Sequence, residues 1–239
     1  MTFVFLAGIG AAIATLLAWI AWKNEFAALR PTGLELMVGS TAMGAYLLGR
    51  AWVGQGWDLA LAGIGFAGVG LAGLVLYGGT KSLPFRDRRP LPPVFRAGLA
   101  ILTSSLVLSG ISLVMQAGDV WPRPVSPDTS TLVGLAFLSA AVFYGWITIH
   151  PHWAAGELAL TAFLAFALVL FVPCVELLRN PDEPAAVAGY DGTVALATEN
   201  RFNEASLIVC LAVLNFGSLL AIGLHAWGFV HRSTSISQP

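Results

Sequence analysis

Charged side chains are scarce in this chain. Asp, Glu, Lys and Arg make up 10% of its 239 residues, whereas apolar residues make up 57%. A soluble domain usually carries about 25% charged residues, so this chain has too little polar surface to cover a water-soluble globule. The surplus apolar surface must therefore face lipid. The net charge of −1 also excludes the strongly basic footprint that nucleic-acid binding requires.

Cysteine is nearly absent, and the common catalytic motifs are missing. Cys174 and Cys210 form no CxxC pair and match no metal-ligand spacing, so we interpret both as packing residues. No glycine-rich phosphate loop, HExxH or G-x-S-x-G motif occurs. The last apolar segment has no lysine for a retinal Schiff base, and no segment holds two histidines placed to bind a haem. We therefore expect no catalytic centre of its own, and a membrane enzyme acting on lipid is the least favoured hypothesis.

Seven apolar segments are each about long enough to cross the roughly 30 Å hydrocarbon core of a bilayer. The alternation expected of barrel strands is absent, and an isolated strand cannot satisfy its backbone in lipid, so all seven are predicted to be helices. The predicted fold is an all-α integral membrane protein, a single transmembrane domain over residues 1–239. Its predicted spans are 3–22, 34–53, 59–78, 97–117, 131–149, 157–177 and 205–230.

The first segment could be mistaken for a cleaved signal peptide. It lacks a basic region at its start, and it ends in the sequence Trp19-Ile-Ala-Trp22-Lys23. Tryptophan followed by lysine is typical of an anchor at the membrane interface. We therefore interpret this segment as a retained first span.

The stretch from Lys81 to Arg96 determines the predicted orientation, because it holds five of the twelve basic residues. Together with the first and fifth connections and the C-terminus, it carries eight of them. The positive-inside rule then places the N-terminus outside and the C-terminus in the cytoplasm, in a prokaryotic cytoplasmic (inner) membrane. In this orientation Arg86, Arg88, Arg89 and Arg96 are expected to contact anionic lipid headgroups.

The connection over 179–204 is predicted to be a short capping loop on the outer side. Its Asn-Pro and Glu-Pro steps prevent the sixth span from continuing. Asp191-Gly192 lies between two short apolar runs, which is typical of a β-hairpin. Two interpretations stay open, a mobile loop and a small ordered cap over one end of the bundle.

Polar residues inside the spans are few, and small residues are many. No charged residue lies near the middle of a span, which argues against an ion-driven pump or exchanger. Glycine and alanine in the first three spans predict tight helix packing. Polar side chains share one face of the fourth span and recur in the seventh, where they predict an interhelical hydrogen bond or, alternatively, a polar track for a solute or a quinone headgroup. They are Ser105, Ser109, Ser112, Gln116, Asn215 and Ser218.

Three of the four histidines, together with Glu157, supply a candidate metal or cofactor site. His150 and His152 lie in the turn between the fifth and sixth spans, Glu157 begins the sixth, and His225 lies about one turn inside the seventh. Imidazoles beside a carboxylate can bind a transition metal, coordinate a cofactor or transfer protons. The alternative is that these residues are ordinary interfacial anchors, since their spacing matches no known ligand signature. The cofactor is unknown, with lipid, quinone and pigment as candidates.

Two functional hypotheses follow. The first is a non-catalytic integral membrane subunit of a multi-subunit assembly handling electrons or light, which scaffolds partners and binds lipid, quinone or pigment. Its partners would be membrane lipids and other membrane subunits, and not nucleic acid. The alternative is a facilitator or channel for a small neutral solute, lined by Ser105, Ser109, Ser112 and Asn215.

Overall fold

The computed structural model describes residues 2–116, 126–179, 186–188, 194–196 and 222–223. Nearly all of these residues are helical. The α-helices are α1 (Thr2–Lys23), α2 (Leu29–Glu35), α3 (Thr41–Arg50), α4 (Trp57–Thr80), α5 (Pro93–Val114), α6 (Pro127–Ile149) and α7 (Trp153–Arg179). A 3-10 turn over Phe26–Ala28 precedes α2, and wider π-helical turns over Leu36–Ser40 and Ala51–Gln55 follow α2 and α3. Residues 29–55 are therefore one nearly continuous helical segment, which we call the α2–α3 segment.

Four helices are long and apolar enough to cross a membrane: α4, α5, α6 and the part of α7 over Trp153–Phe171. A shorter apolar helix covers Ala7–Lys23. The prediction of an all-α integral membrane protein is thus confirmed at this level. The count of seven spans and their orientation stay predictions, because the seventh span lies outside the described residues except for 222–223. Predictions on Cys210, Asn215, Ser218 and His225, and on the Cys174 side chain, lie outside them as well.

The first six predicted spans all coincide with helical segments, but most of these segments begin about four or five residues earlier than predicted. Local chemistry explains the earlier starts of α5 and α6. Pro93 and Pro127 occupy the first turn, where a missing N–H costs nothing. Ser126 precedes α6, and its hydroxyl accepts the N–H of Thr129 at 3.2 Å, as expected of a helix N-cap.

Glycines set the closest helix contacts. α4 packs antiparallel against the α2–α3 segment, and Gly73 lies so close to the opposite backbone that an added Cβ would be 2.5 Å from the Met37 nitrogen. α5 and α6 cross through Gly110 and Gly134, where an added Cβ at Gly134 would be 2.8 Å from the Gly110 oxygen. α1 packs on α7. Small residues therefore do bring helices together, but the partner of the first predicted span is the sixth.

The hydrophobic core lies around α7. Leu158 and Leu160 of α7 are fully buried, together with Leu99 of α5 and Ile147 of α6.

The predicted capping loop over 179–204 contains two three-residue strands, β1 (Ala186–Ala188) and β2 (Val194–Leu196). They pair antiparallel, with Val187 opposite Ala195. A β-hairpin here was one of the two interpretations that the sequence left open, beside a mobile loop. The residues that join the two strands are outside the described part of the chain.

Candidate binding site at the basic end of the bundle

The connections at one end of the bundle are bonded to one another. The backbone N–H of Leu91, in the loop between α4 and α5, donates to the Pro151 oxygen at 2.8 Å. The N–H of Trp153 donates back to the Arg89 oxygen at 2.9 Å. The arginine-rich loop is thereby fixed across the turn between α6 and α7. We call this end, with residues 23–30, 81–96 and 150–157, the basic end.

Glu25 ties the same loop to the end of α1. This side chain is only 4% exposed, and one of its carboxylate oxygens accepts the backbone N–H groups of Arg86 at 3.1 Å and Asp87 at 3.4 Å. Arg30 adds a second tie, because its guanidinium donates to the Thr80 oxygen at 2.8 Å and to the Leu83 oxygen. A buried carboxylate that accepts backbone N–H groups is compensated by charge-assisted hydrogen bonds. The first, third and fifth connections therefore meet at one end of the bundle, and the predicted orientation in a membrane stays a prediction.

The four arginines predicted to contact lipid are all exposed at this end. Arg89 pairs with Asp87, Nη2 to Oδ2 at 2.5 Å, and its guanidinium lies 4.9 Å from the Trp153 ring centroid. The hydrogen bonds that Arg89 donates to the Asp87 carboxylate raise the pKa of Arg89. Arg96 donates from Nε to the Thr148 oxygen at 2.9 Å. Exposure suits a headgroup contact, but the contact itself stays a prediction.

A cavity of about 360 Å³ opens beneath this loop. Its lining combines an aromatic ring, two cations and three carboxylates from α1, the loop and α7. The residues are Trp19, Lys23, Glu25, Arg86, Asp87, Ala154 and Glu157. Lys23 and Glu157 form an ion pair across it, Nζ to Oε1 at 3.3 Å. The Lys23 ammonium also lies 5.3 Å from the ring centroid of Trp22.

The predicted histidine site is not assembled from the described residues. His150 stacks on Trp146 with ring centroids 4.5 Å apart, whereas His152 stacks on Phe85 at 4.3 Å. Burial, with the nearby Arg30 guanidinium and His150, lowers the pKa of His152. Among the described residues, no group of three or more His, Cys, Asp or Glu could hold a metal ion.

Glu157 lies on the lining of the cavity and not beside the imidazoles as a ligand. Its carboxylate accepts the Trp153 indole N–H at 3.2 Å, in addition to the ion pair with Lys23. Because the fourth predicted member, His225, is outside the described residues, the metal or cofactor hypothesis stays a prediction.

The serine face of α5 is not enclosed by the described helices. Ser105, Ser109 and Ser112 are half-buried, and Gln116 is exposed just beyond the end of α5. Ser105 donates to the carbonyl oxygen of Ile101 in its own helix at 3.0 Å, which satisfies the hydroxyl without a neighbouring helix. The proposed partner positions in the seventh span lie outside the described part, so neither interpretation of this face is decided.

The opposite end of the bundle carries a second charged cluster. Arg50 Nη2 lies 3.0 Å from Asp128 Oδ2, and Tyr46 donates its hydroxyl to Asp128 Oδ1 at 2.6 Å. This cluster joins the end of α3 to the first turn of α6. Its partly exposed ion pair is of a kind that contributes at most about 1 kcal/mol to stability.

Sequence reasoning missed the cavity. Trp19 and Lys23 were interpreted only as an interfacial anchor, and Glu25 was not singled out. The available signal was an acidic residue two positions after a lysine, in a connection otherwise expected to be basic.

No family model matches the chain, and neither a curated protein nor a solved structure matches it significantly. Its function must therefore be inferred from its own geometry.

Proposed function

We propose that this chain is a non-catalytic integral membrane subunit that scaffolds other membrane proteins in an assembly handling electrons or light. It also binds lipid, quinone or pigment along its surface. The observation that carries the proposal is the outward face of α4, which is apolar, contains a line of mostly small residues and is not covered by the described helices.

Two stripes run along α4. One stripe, with Gly63, Gly70, Gly73 and Thr80, is buried against the α2–α3 segment. Most of the remaining surface of α4 is exposed, and one line of residues along it follows the alternating spacing of four and three residues. Its members are Leu61, Gly65, Gly68, Ala72, Val75 and Gly79. We call these six residues the outer stripe.

The outer stripe has the composition of a helix-docking surface. A Cβ added at Gly65 or Gly68 would meet no atom of the described residues within 4 Å. Leu61 and Val75, near its ends, are 67% and 69% exposed. Lipid provides no hydrophobic drive for helix association, so close backbone approach at small residues is what allows a second helix to bind. The alternating spacing of four and three residues is the one that two helices share when they pack lengthwise. The occupant we propose is therefore a transmembrane helix of another subunit.

Purification of the full chain from its native membrane in a mild detergent tests this proposal. The molar mass of the particle is measured for the unchanged protein and for two variants, Gly68→Trp in the outer stripe and Gly10→Trp on α1, where an added Cβ also meets nothing within 4 Å. We expect a particle containing a second membrane protein that is lost in Gly68→Trp and retained in Gly10→Trp.

An absorption spectrum of the same particle tests the electron or light role, for which coloured cofactors are expected in the assembly. A colourless protein that purifies alone and accelerates flux of a neutral solute in liposomes would overturn the proposal. That result would support the channel alternative.

A further inference from the structure

Among the residues that line the cavity at the basic end is a buried hydrogen-bond donor, the indole N–H of Trp19. Trp19 is only 6% exposed, and within the described part of the chain this N–H has no acceptor. An indole N–H can only donate, and leaving such a group buried and unpaired is costly. Trp19 is among the residues that line the cavity, and an acceptor bound there is the partner we assign to this N–H.

Further donors at the cavity are also available. The Lys23 ammonium has three N–H groups, and the described residues supply it one carboxylate oxygen, from Glu157. Arg86 is exposed, and no carboxylate of the described residues pairs with its guanidinium. The cavity therefore offers an indole N–H, an ammonium and a guanidinium to a ligand that brings oxygen acceptors.

The carboxylates of the lining are already engaged. Glu25 accepts backbone N–H groups of the loop, Asp87 pairs with Arg89, and Glu157 bonds to Lys23 and Trp153. Lys23, Arg86 and Arg89 balance these three negative charges, so the cavity has no excess positive charge to hold a polyanion. A polyanion would be repelled, whereas a group with one negative charge and several acceptor oxygens fits. A phosphodiester has this chemistry.

The position of the cavity identifies the source of that phosphodiester. Trp22, at the end of α1 beside Lys23, is 81% exposed, and Phe26 is 52% exposed. Exposed aromatic rings next to basic residues mark the headgroup level of a membrane. We propose that this cavity binds the phosphodiester of one phospholipid headgroup, with Trp19, Lys23 and Arg86 as donors. The inference deepens the proposed function, which counts lipid among the ligands.

Titration of the delipidated full chain with dioctanoyl phosphatidylglycerol tests the site, with bound lipid counted by native mass spectrometry. One equivalent should bind, and Trp19→Phe and Arg86→Gln should each weaken its binding at least about tenfold, which is about 1.4 kcal/mol. The controls are Trp22→Phe and Lys81→Gln, which alter an exposed ring and an exposed cation that do not line the cavity, and both should bind like the unchanged protein. If Trp19→Phe fails to fold, Arg86→Gln still tests the site, because its side chain is exposed.

Two competitors distinguish the possible sources. Dioctanoylglycerol, which has the same chains without phosphate, should not displace the lipid, and inorganic phosphate should displace it only weakly. Displacement by dioctanoylglycerol, or equal weakening in the control variants, would overturn the phosphodiester site. Strong displacement by inorganic phosphate would overturn the lipid assignment in favour of a free anion. The particle mass of the Arg86→Gln variant separates this inference from the proposed function, because partner binding through α4 should persist.

Discussion

Adding one methyl group at Gly73 should separate α4 from the α2–α3 segment. The new Cβ of Gly73→Ala would lie 2.5 Å from the Met37 nitrogen, 2.8 Å from the Leu36 Cβ and 2.9 Å from the Gly33 oxygen. Carbon atoms pack at about 3.5–4.0 Å, so the two backbones must move apart by about 1 Å. Inserting a methyl group into a filled interior typically costs about 1–3 kcal/mol.

The matched control is Gly65→Ala on the same helix, where the new Cβ would meet nothing within 4 Å. Replacing glycine by alanine favours a helix by about 1 kcal/mol, and this gain is the same for both variants. The difference between them therefore isolates the helix contact. We expect Gly73→Ala to be less stable than Gly65→Ala by about 1–3 kcal/mol.

Reversible unfolding in mixed micelles, followed by far-ultraviolet circular dichroism, measures both free energies of unfolding. Equal stability of the two variants would refute the close packing of α4 against the α2–α3 segment. If Gly65→Ala showed the loss of stability that we expect of Gly73→Ala, the outer stripe would be packed against another part of the chain.

Three further predictions concern the basic end. Glu25→Ala removes the acceptor of two loop N–H groups, and a hydrogen bond to a charged group contributes about 1.5–3 kcal/mol. Trypsin should therefore cleave the loop over 81–96 at least about tenfold faster, with Asp58→Asn, the loss of an exposed acid at the opposite end, as the control. Unchanged cleavage would contradict this contact between Glu25 and the loop. The pKa of His152 is lowered in the fold from its ordinary 6.5, so the contribution of this residue to stability should be full above pH 6.5 and decline as the pH falls below it. His152→Phe should remove this decline. Thermal melts of both proteins at pH 7.5 and pH 5.0 measure the difference. Replacing Arg86, Arg88 and Arg89 by Gln should weaken binding to anionic liposomes at low salt, with a difference that fades as salt rises; identical binding at low salt would argue against headgroup contact.

Much of the fold could be predicted from the sequence because hydropathy and length act locally. The helices that coincide with the first six predicted spans follow from runs of about twenty apolar residues, and the glycines of α4 indicated close packing. The helix starts were misplaced by a turn because Pro93 and Pro127 favour the first turn of a helix, even where the flanking residues are polar. The strand pairing at 186–188 and 194–196 followed from apolar runs around an Asp-Gly step.

The candidate site could not be predicted in the same way, because it depends on contacts between distant positions. Glu25 accepts N–H groups from residues 61 and 62 positions later in the chain, and no local pattern encodes such a bond. Trp19 has the sequence context of an exposed interfacial tryptophan, but it is buried because α7 packs against α1 at this level. The two faces of α4 were also indistinguishable in sequence, since glycines occur on both.

Photocrosslinking in the native membrane tests the central claim, that the outer stripe of α4 docks against a helix of another subunit. A benzoylphenylalanine at position 68 lies on the stripe, and one at position 108 replaces Leu108 of α5, which is 67% exposed to the surroundings of the bundle. Irradiation should give one discrete protein adduct from position 68 and none from position 108. Lipid adducts alone from position 68, or the same protein adduct from both positions, would contradict the account.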